Sequence, residues 1–162
     1  PEAQRDRFMA RVSVGYPTES AEIAMLEGHT TRNPLDELQP VADAADLDKL
    51  IDIVGRVHVS PVVQRYAVTL ATATRTSPDL QLGASPRATL HLVRAAKAAA
   101  AMSGRDYVIP DDVHGLTQPI LSHRLMPNVE ATMNGRTTDA ILASIVASVP
   151  VPTDPHRDHP GA

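Results

Sequence analysis

The sequence predicts an all-α fold, a small bundle of about five helices with a short extended segment at its N-terminus. Apolar residues recur at helical spacing, most clearly between residues 46 and 57. Two Ser-Pro pairs, Ser60-Pro61 and Ser85-Pro86, place a side-chain cap directly before a proline at the first helical position. Only one short run, from Phe8 to Val14, alternates as a strand would. Little sheet is therefore expected.

The composition narrows the possible function classes. The 162 residues suit one domain, and because only 2% of them are aromatic, the core must be built from Ala, Leu, Val and Ile. The formal net charge of −4 opposes the binding of a phosphate backbone, so nucleic acid is an unfavoured partner. The sequence contains no run of about 18 apolar residues, the length needed to cross a bilayer, so no membrane partner is expected. The absence of cysteine excludes thiolate chemistry and fits a cytoplasmic location.

The first third of the chain predicts an extended segment followed by two helices. We interpret the run from Phe8 to Val14 as the final strand of a domain whose remainder lies outside this sequence. Thr18 can cap a helix over about 19 to 30, which Asn33-Pro34 should end. The helix predicted over 46 to 57 has one apolar stripe, formed by Leu47, Leu50, Ile51, Val54 and Val57.

The two middle helices begin at the Ser-Pro pairs. Ser60-Pro61 opens a helix through about Arg75, and Ser85-Pro86 opens an Ala-rich helix that runs to about Met102. Gly104 can then adopt the left-handed conformation that ends many helices. Five side chains of the first of these helices are predicted to point inward: Val62, Val63, Tyr66, Leu70 and Ala73.

The next part of the chain is predicted to hold a link, a helix and a loop. Tyr107 to Ile109 forms a short extended link. Pro110-Asp111-Asp112 then opens a helix that ends at His123-Arg124, so that the charges at its two ends match the helix dipole. Residues 125 to 137 have mixed character and are interpreted as a loop.

A last helix is predicted from Thr138 to about Val149, followed by a disordered tail over 150 to 162, which is rich in proline and polar residues. His156 and His159 lie in this tail without a fixed geometry, so no metal site is predicted. The remaining scattered histidines are interpreted as surface or helix-end residues: His29, His58, His114 and His123.

Motifs for hydrolysis are absent from the sequence. It contains no Gly-x-x-x-x-Gly-Lys-Ser/Thr phosphate loop, no Gly-x-Ser-x-Gly nucleophile turn and no His-Glu-x-x-His metal motif. This chain alone is therefore not expected to be catalytic or to bind a cofactor tightly.

Two blocks of the sequence nevertheless resemble one family. Residues 1 to 8, Pro-Glu-Ala-Gln-Arg-Asp-Arg-Phe, and residues 11 to 17 are similar to the end of the ATPase core in MoxR-like AAA+ proteins. Residues 82 to 88 and 104 to 113, followed by His123-Arg124-Leu125, look like that family's helical lid with its sensor 2 helix. The resemblance covers about residues 1 to 125. It implies a remnant of the ATPase core at 1–17, a helical lid domain at 18–149 and a disordered tail at 150–162.

By this resemblance Arg7 lies where the family has its arginine finger, which reaches across a ring interface to a neighbour's ATP. A guanidinium keeps its charge and offers forked donors to phosphate oxygens, and such fingers accelerate nucleotide hydrolysis by about 10³–10⁵-fold. The alternative is a surface arginine paired with Asp6 or Glu2.

Arg87 resembles the sensor 2 arginine. Because Pro86 is the predicted first helical residue, Arg87 lies in the first turn, where free backbone amides and the helix dipole would assist its guanidinium in binding a γ-phosphate. The alternative is a cation that only solvates the helix start. His91 and Arg94 follow on the same face as weaker nucleotide-binding candidates, although a solvated face explains them equally well.

The resemblance implies a lid domain that contributes to ATP sensing and hydrolysis in a ring of identical subunits, expected to be a hexamer. It implies ATP and Mg²⁺ in the full-length protein, a missing AAA+ core as partner, and chaperone-like maturation of client proteins, some with von Willebrand A domains. An independent helical protein-interaction module is the alternative. Helical DNA binding comes third, because the acidic balance opposes it.

Overall fold

Most residues that the structure describes are helical, as the spacing of apolar residues predicts. The structure is a computed structural model and describes residues 2–29 and 34–153. The helices in these ranges are α1 (Glu2–Arg5), α2 (Glu19–His29), α3 (Ala44–Arg56), α4 (Pro61–Thr76), α5 (Pro86–Met102), α6 (Pro110–Gly115), α7 (Thr117–Leu121), α8 (Val129–Met133) and α9 (Thr138–Ser148). Two short strands, β1 (Leu80–Leu82) and β2 (Met126–Pro127), form one antiparallel pair.

The chain divides into two compact units, Pro1–Arg11 with Asp52–Ala162, and Val12–Ile51. The first unit holds the hydrophobic core, in which α4 and α5 pack against each other and against α6. Alanines with no exposed surface, including Ala67, Ala88 and Ala96, let the helices approach closely, and larger side chains such as Leu70 and Leu92 fill the remaining space. The predicted core of small aliphatic residues is confirmed.

The two Ser-Pro helix starts are also confirmed. The Ser60 hydroxyl accepts a hydrogen bond from the Val63 amide at 3.3 Å, and the Ser85 hydroxyl accepts one from the Ala88 amide at 3.2 Å. Gly104 has a positive φ of 72°, as its predicted role after α5 requires. One inward prediction for α4 is wrong, because the Val62 side chain is exposed.

The single helix predicted from Pro110 to Arg124 is wrong in its continuity. The segment forms α6, then α7, then a 3₁₀ turn over Ser122–Arg124. Leu116, between the helices, has φ −97° and ψ 0°, and Pro119 has no amide hydrogen to donate to the carbonyl four residues earlier. A proline at that place interrupts the helical hydrogen-bond ladder.

The loop predicted over 125 to 137 is also wrong, since it contains β2 and α8. Leu80 pairs with Pro127 and Leu82 with Met126, and Asn128 caps α8 by accepting from the Ala131 amide at 2.8 Å. Strands of two or three residues are too short to show an alternating pattern, so only their pairing reveals them. The predicted extended link does form, with Tyr107 in a parallel bridge to His58.

The unit Val12–Ile51 contains α2, a 3₁₀ turn at Pro34–Glu37 and the first part of α3. Thr18 caps α2 as predicted, accepting from the Ala21 amide at 3.3 Å. The predicted second helix is confirmed as α3, yet three side chains of its apolar stripe, Leu47, Leu50 and Ile51, are exposed.

The strand predicted from Phe8 to Val14 is wrong for the described residues, which form neither helix nor strand there. A strand requires a neighbouring backbone to accept its hydrogen bonds, and α1 precedes this segment instead of an extended chain. Residues 154–162, which hold most of the predicted disordered tail with His156 and His159, lie outside the described residues, as does Asn33.

Candidate functional site

Arg7 lies directly after α1 with an exposed side chain. Its backbone amide donates to the Gln4 carbonyl at 3.3 Å, while its guanidinium makes no hydrogen bond or ion pair with any residue that the structure describes. Of the predicted alternative, a pair with Asp6 or Glu2, the pair with Asp6 does not form, and the Asp6 carboxylate instead contacts Arg124 and Arg87. The Glu2 side chain lies outside what the structure describes. The Arg7 side chain is thus exposed to solvent.

Asp6 connects the N-terminal segment to the start of α5. Its Oδ1 accepts hydrogen bonds from the Ser85 hydroxyl at 2.9 Å and from Nη1 of Arg124 at 2.7 Å. Its Oδ2 lies 3.9 Å from Nη1 of Arg87. The Ser85 hydroxyl also caps α5 by accepting from the Ala88 amide. The same hydroxyl therefore caps the helix and donates to the Asp6 carboxylate.

Arg124 is the residue whose place in the site the sequence reasoning missed. It was predicted as a cation at a helix end, but its side chain is only 1% exposed. Besides Asp6, it donates through Nη2 to the Phe8 carbonyl and to Nδ1 of His91, the latter at 2.7 Å. The available signal was its position in the His-Arg-Leu motif, although nothing local indicated burial.

His123 was predicted to be a surface or helix-end residue and is instead buried. Its Nε2 lies 3.1 Å from the Phe8 carbonyl. A carbonyl only accepts, so Nε2 is the donor and carries the proton. Arg124 and His123 therefore both hold Phe8, the residue that follows Arg7.

Burial is the main cause of lowered pKa values in two histidines of this cluster. Burial lowers the pKa of His123, against the opposing effect of its hydrogen bond to Phe8. Burial lowers the pKa of His91 as well, and the Arg124 guanidinium lowers it further. Because a guanidinium only donates, Nδ1 of His91 is an acceptor and its ring is neutral.

We expect the stability of the chain to fall as pH decreases below about 6.5, the ordinary histidine pKa. Between that value and the lower folded-state pKa, unfolded His123 binds a proton that folded His123 does not, so acid favours unfolding. Urea unfolding midpoints at pH 7.5 and 5.5 should differ less in His123→Gln than in the wild type. His58→Gln, at an exposed position, serves as control. Equal acid loss in the wild type and His123→Gln would contradict this assignment.

Arg87 lies in the first turn of α5, as predicted, with its side chain 57% exposed. The prediction of several free amides around it is wrong. Ser85 receives the hydrogen bonds of both the Ala88 and Thr89 amides, and Pro86 has no amide hydrogen. An anion at this helix start would therefore meet the Arg87 guanidinium and the Arg87 amide rather than a full set of free donors.

The two weaker candidates on α5 differ from each other. His91 is partly buried and its Nδ1 is already bound to Arg124, so the solvated face predicted for it is only partly correct. Arg94 is exposed. Over residues 2–29 and 34–153, no group of three or more His, Asp or Glu side chains could hold a metal ion.

The described helices include none with the length and apolar character needed to span a membrane.

A protein-family model described as the AAA lid domain matches residues 72–145. This range includes α5, Arg87 and Arg124, and it ends within α9.

The chain is also similar to several curated proteins. It is 38% identical over 152 residues to the uncharacterised protein YeaC of Bacillus subtilis, covering 94% of this chain and 48% of that protein. It is 32% identical over 161 residues to the chaperone MoxR1 of Mycobacterium tuberculosis, covering 94% of this chain and 42% of that protein. Protein MoxR of Paracoccus denitrificans is 31% identical over 177 residues, with 94% of this chain and 51% of that protein covered.

One solved structure, from Cytophaga hutchinsonii and named as a proposed ATPase, has a TM-score of 0.84 at 30% identity, covering 94% of this chain and 49% of that chain. The chain spans about half the length of the curated relatives it matches. Each of these relatives, and the solved structure, covers 94% of this chain.

Proposed function

This chain belongs to the MoxR-like AAA+ ATPases and carries their lid domain, and from that premise we propose that it senses ATP in a ring assembly. Arg87 would contact the γ-phosphate of ATP held by an AAA+ core. Arg7 would reach the ATP of a neighbouring subunit. A forked guanidinium suits both tasks, because it pairs with phosphate oxygens through two donors at once.

One observation carries this proposal: the two cations that the resemblance selects are both exposed, and the residue directly before one of them forms a long ion pair with the other. Asp6 directly precedes Arg7, and its Oδ2 lies 3.9 Å from Nη1 of Arg87. Since the Arg87 side chain is 57% exposed, a triphosphate could displace this long ion pair at small cost.

In the full-length protein, ATP and Mg²⁺ would be held mainly by the AAA+ core, with Mg²⁺ neutralising phosphate charge during transfer. This chain would supply the two arginines. We further propose a homo-oligomeric ring, expected to be a hexamer, in the cytoplasm. Its function would be chaperone-like maturation of client proteins, in keeping with the word chaperone in the name of the mycobacterial relative. Some of these clients would carry von Willebrand A domains.

The test is ATP hydrolysis by the full-length protein that contains this chain. We expect Arg87→Ala to lower the turnover number by about 10²-fold, the usual cost of removing one donor that stabilises transition-state charge. Arg65→Ala, at an exposed position of α4, is the matched control and should turn over like the wild type. Wild-type turnover by Arg87→Ala would contradict the sensor role.

The independent interaction module has one observation in its favour, the exposed apolar side chains of α3 at Leu47, Leu50 and Ile51. On that hypothesis partner binding would not depend on nucleotide or on Arg87. Client capture by the full-length protein, with and without ATP, separates the two functions.

A further inference from the structure

We propose that Arg124 and Asp6 are positioning residues for Arg7, an inference that rests on the proposed function. Arg124 donates through Nη1 to the Asp6 carboxylate at 2.7 Å and through Nη2 to the Phe8 carbonyl. One planar guanidinium thus holds the residue before Arg7 and the residue after it. Because the fork is rigid, it fixes the direction in which the Arg7 side chain leaves the backbone.

We call the contacts of Arg124 with Asp6 and Phe8 the Arg7 bracket, and further contacts stiffen this bracket. His123 donates a second hydrogen bond to the Phe8 carbonyl, at 3.1 Å. The Arg11 amide donates to the Pro119 carbonyl at 2.8 Å. The segment around Arg7 is therefore attached to the helical unit at several points, although it forms no strand there.

The bracket also connects the two proposed nucleotide contacts. Asp6 accepts from the Ser85 hydroxyl at 2.9 Å, and Ser85 caps the helix whose first turn carries Arg87. A displacement of α5 on nucleotide binding would therefore be passed to Asp6 and on to Arg7. Arg124 is buried, with its side chain 1% exposed, so solvent weakens its contacts little.

Stability alone explains this arrangement poorly. A buried ion pair contributes little net stability relative to apolar packing of the same volume, because desolvation of the charges is costly. Burial indeed lowers the pKa of Arg124, against the opposing effect of Asp6. What the charged pair provides, and an apolar pair would not, is a defined direction for the two backbone positions beside Arg7.

The test uses Asp6→Asn in the full-length protein, which removes the charge but keeps the shape. We expect the turnover number for ATP to fall by about 10²-fold, since a displacement of about 1 Å can cost that much, while KM for ATP changes little. Asp112→Asn is the matched control. Asp112 forms a bidentate pair with Arg105, at 2.6 and 2.7 Å, and none of its hydrogen bonds that the structure describes reaches residues 6 to 8. Removal of the Asp112 charge should therefore leave the turnover number unchanged.

A double variant distinguishes positioning from a general structural effect. In an Arg7→Ala background, Asp6→Asn should cause no further loss in single-turnover hydrolysis, because the residue that it positions is gone. If Asp6→Asn lowers turnover by the same factor in the wild-type and the Arg7→Ala backgrounds, the proposal is overturned. An effect of Asp6 that acts through Arg87 instead of Arg7 would give that result. If Asp6→Asn does not fold, Arg124→Lys replaces it, since lysine keeps the charge but not the fork. Unchanged turnover in Arg7→Ala itself would instead contradict the proposed function.

Discussion

If Arg7 is an arginine finger, as we propose, Arg7→Ala should lower the turnover number for ATP of the full-length protein by about 10³-fold or more, the range found when an arginine finger is absent from other nucleotide hydrolases. The reason is electrostatic. Charge develops on the phosphate oxygens in the transition state, and alanine offers neither charge nor donors to compensate it. Because the Arg7 side chain is exposed and forms no hydrogen bond or ion pair with the side chains that the structure describes, its removal should leave the thermal stability of the protein nearly unchanged.

Arg5→Ala is the matched control, because Arg5 is exposed two residues earlier on α1. It should hydrolyse ATP at the wild-type rate. A mixing experiment then tests whether Arg7 acts on a neighbour. Arg7→Ala subunits, combined with subunits whose core cannot bind ATP but whose Arg7 is intact, should recover activity in mixed rings. No recovery at any mixing ratio would contradict action across the subunit interface.

Leu92→Ala is expected to destabilise the chain by about 2–5 kcal/mol, the range for removing a fully buried leucine side chain. Leu92 lies on α5 with 0% of its surface exposed, at the centre of a core rich in alanine. Helices already packed through alanines cannot move closer to fill the space left by the missing side chain, so a cavity should remain. The measurement is the urea unfolding midpoint.

Leu90→Ala makes the same chemical change two residues away on the same helix, where the side chain is 49% exposed. It should alter the free energy of unfolding by no more than about 0.5 kcal/mol. Equal destabilisation by the two variants would show that the face of α5 assigned to the core is wrong.

Local sequence features predicted the helix starts well. Ser60, Ser85 and Thr18 each accept the expected amide hydrogen bond, because a cap involves only residues a few positions apart. Local sequence features did not predict elements that depend on residues distant in the chain or on an internal proline. Pro119 interrupts a helix that the end charges favoured, and β2 is visible only through its pairing with β1.

The sequence by itself determined the helical class, the caps, the aliphatic core and, through the family motifs, the choice of Arg7 and Arg87 as candidates. Only the tertiary structure decided the burial of Arg124 and His123 and the bracket around Arg7. The Arg124 contact with Asp6 joins residues 118 positions apart. A charged side chain can be buried only where other groups neutralise it. Here those groups are distant in sequence, so neither the periodicity nor the spacing of residues predicts the contact.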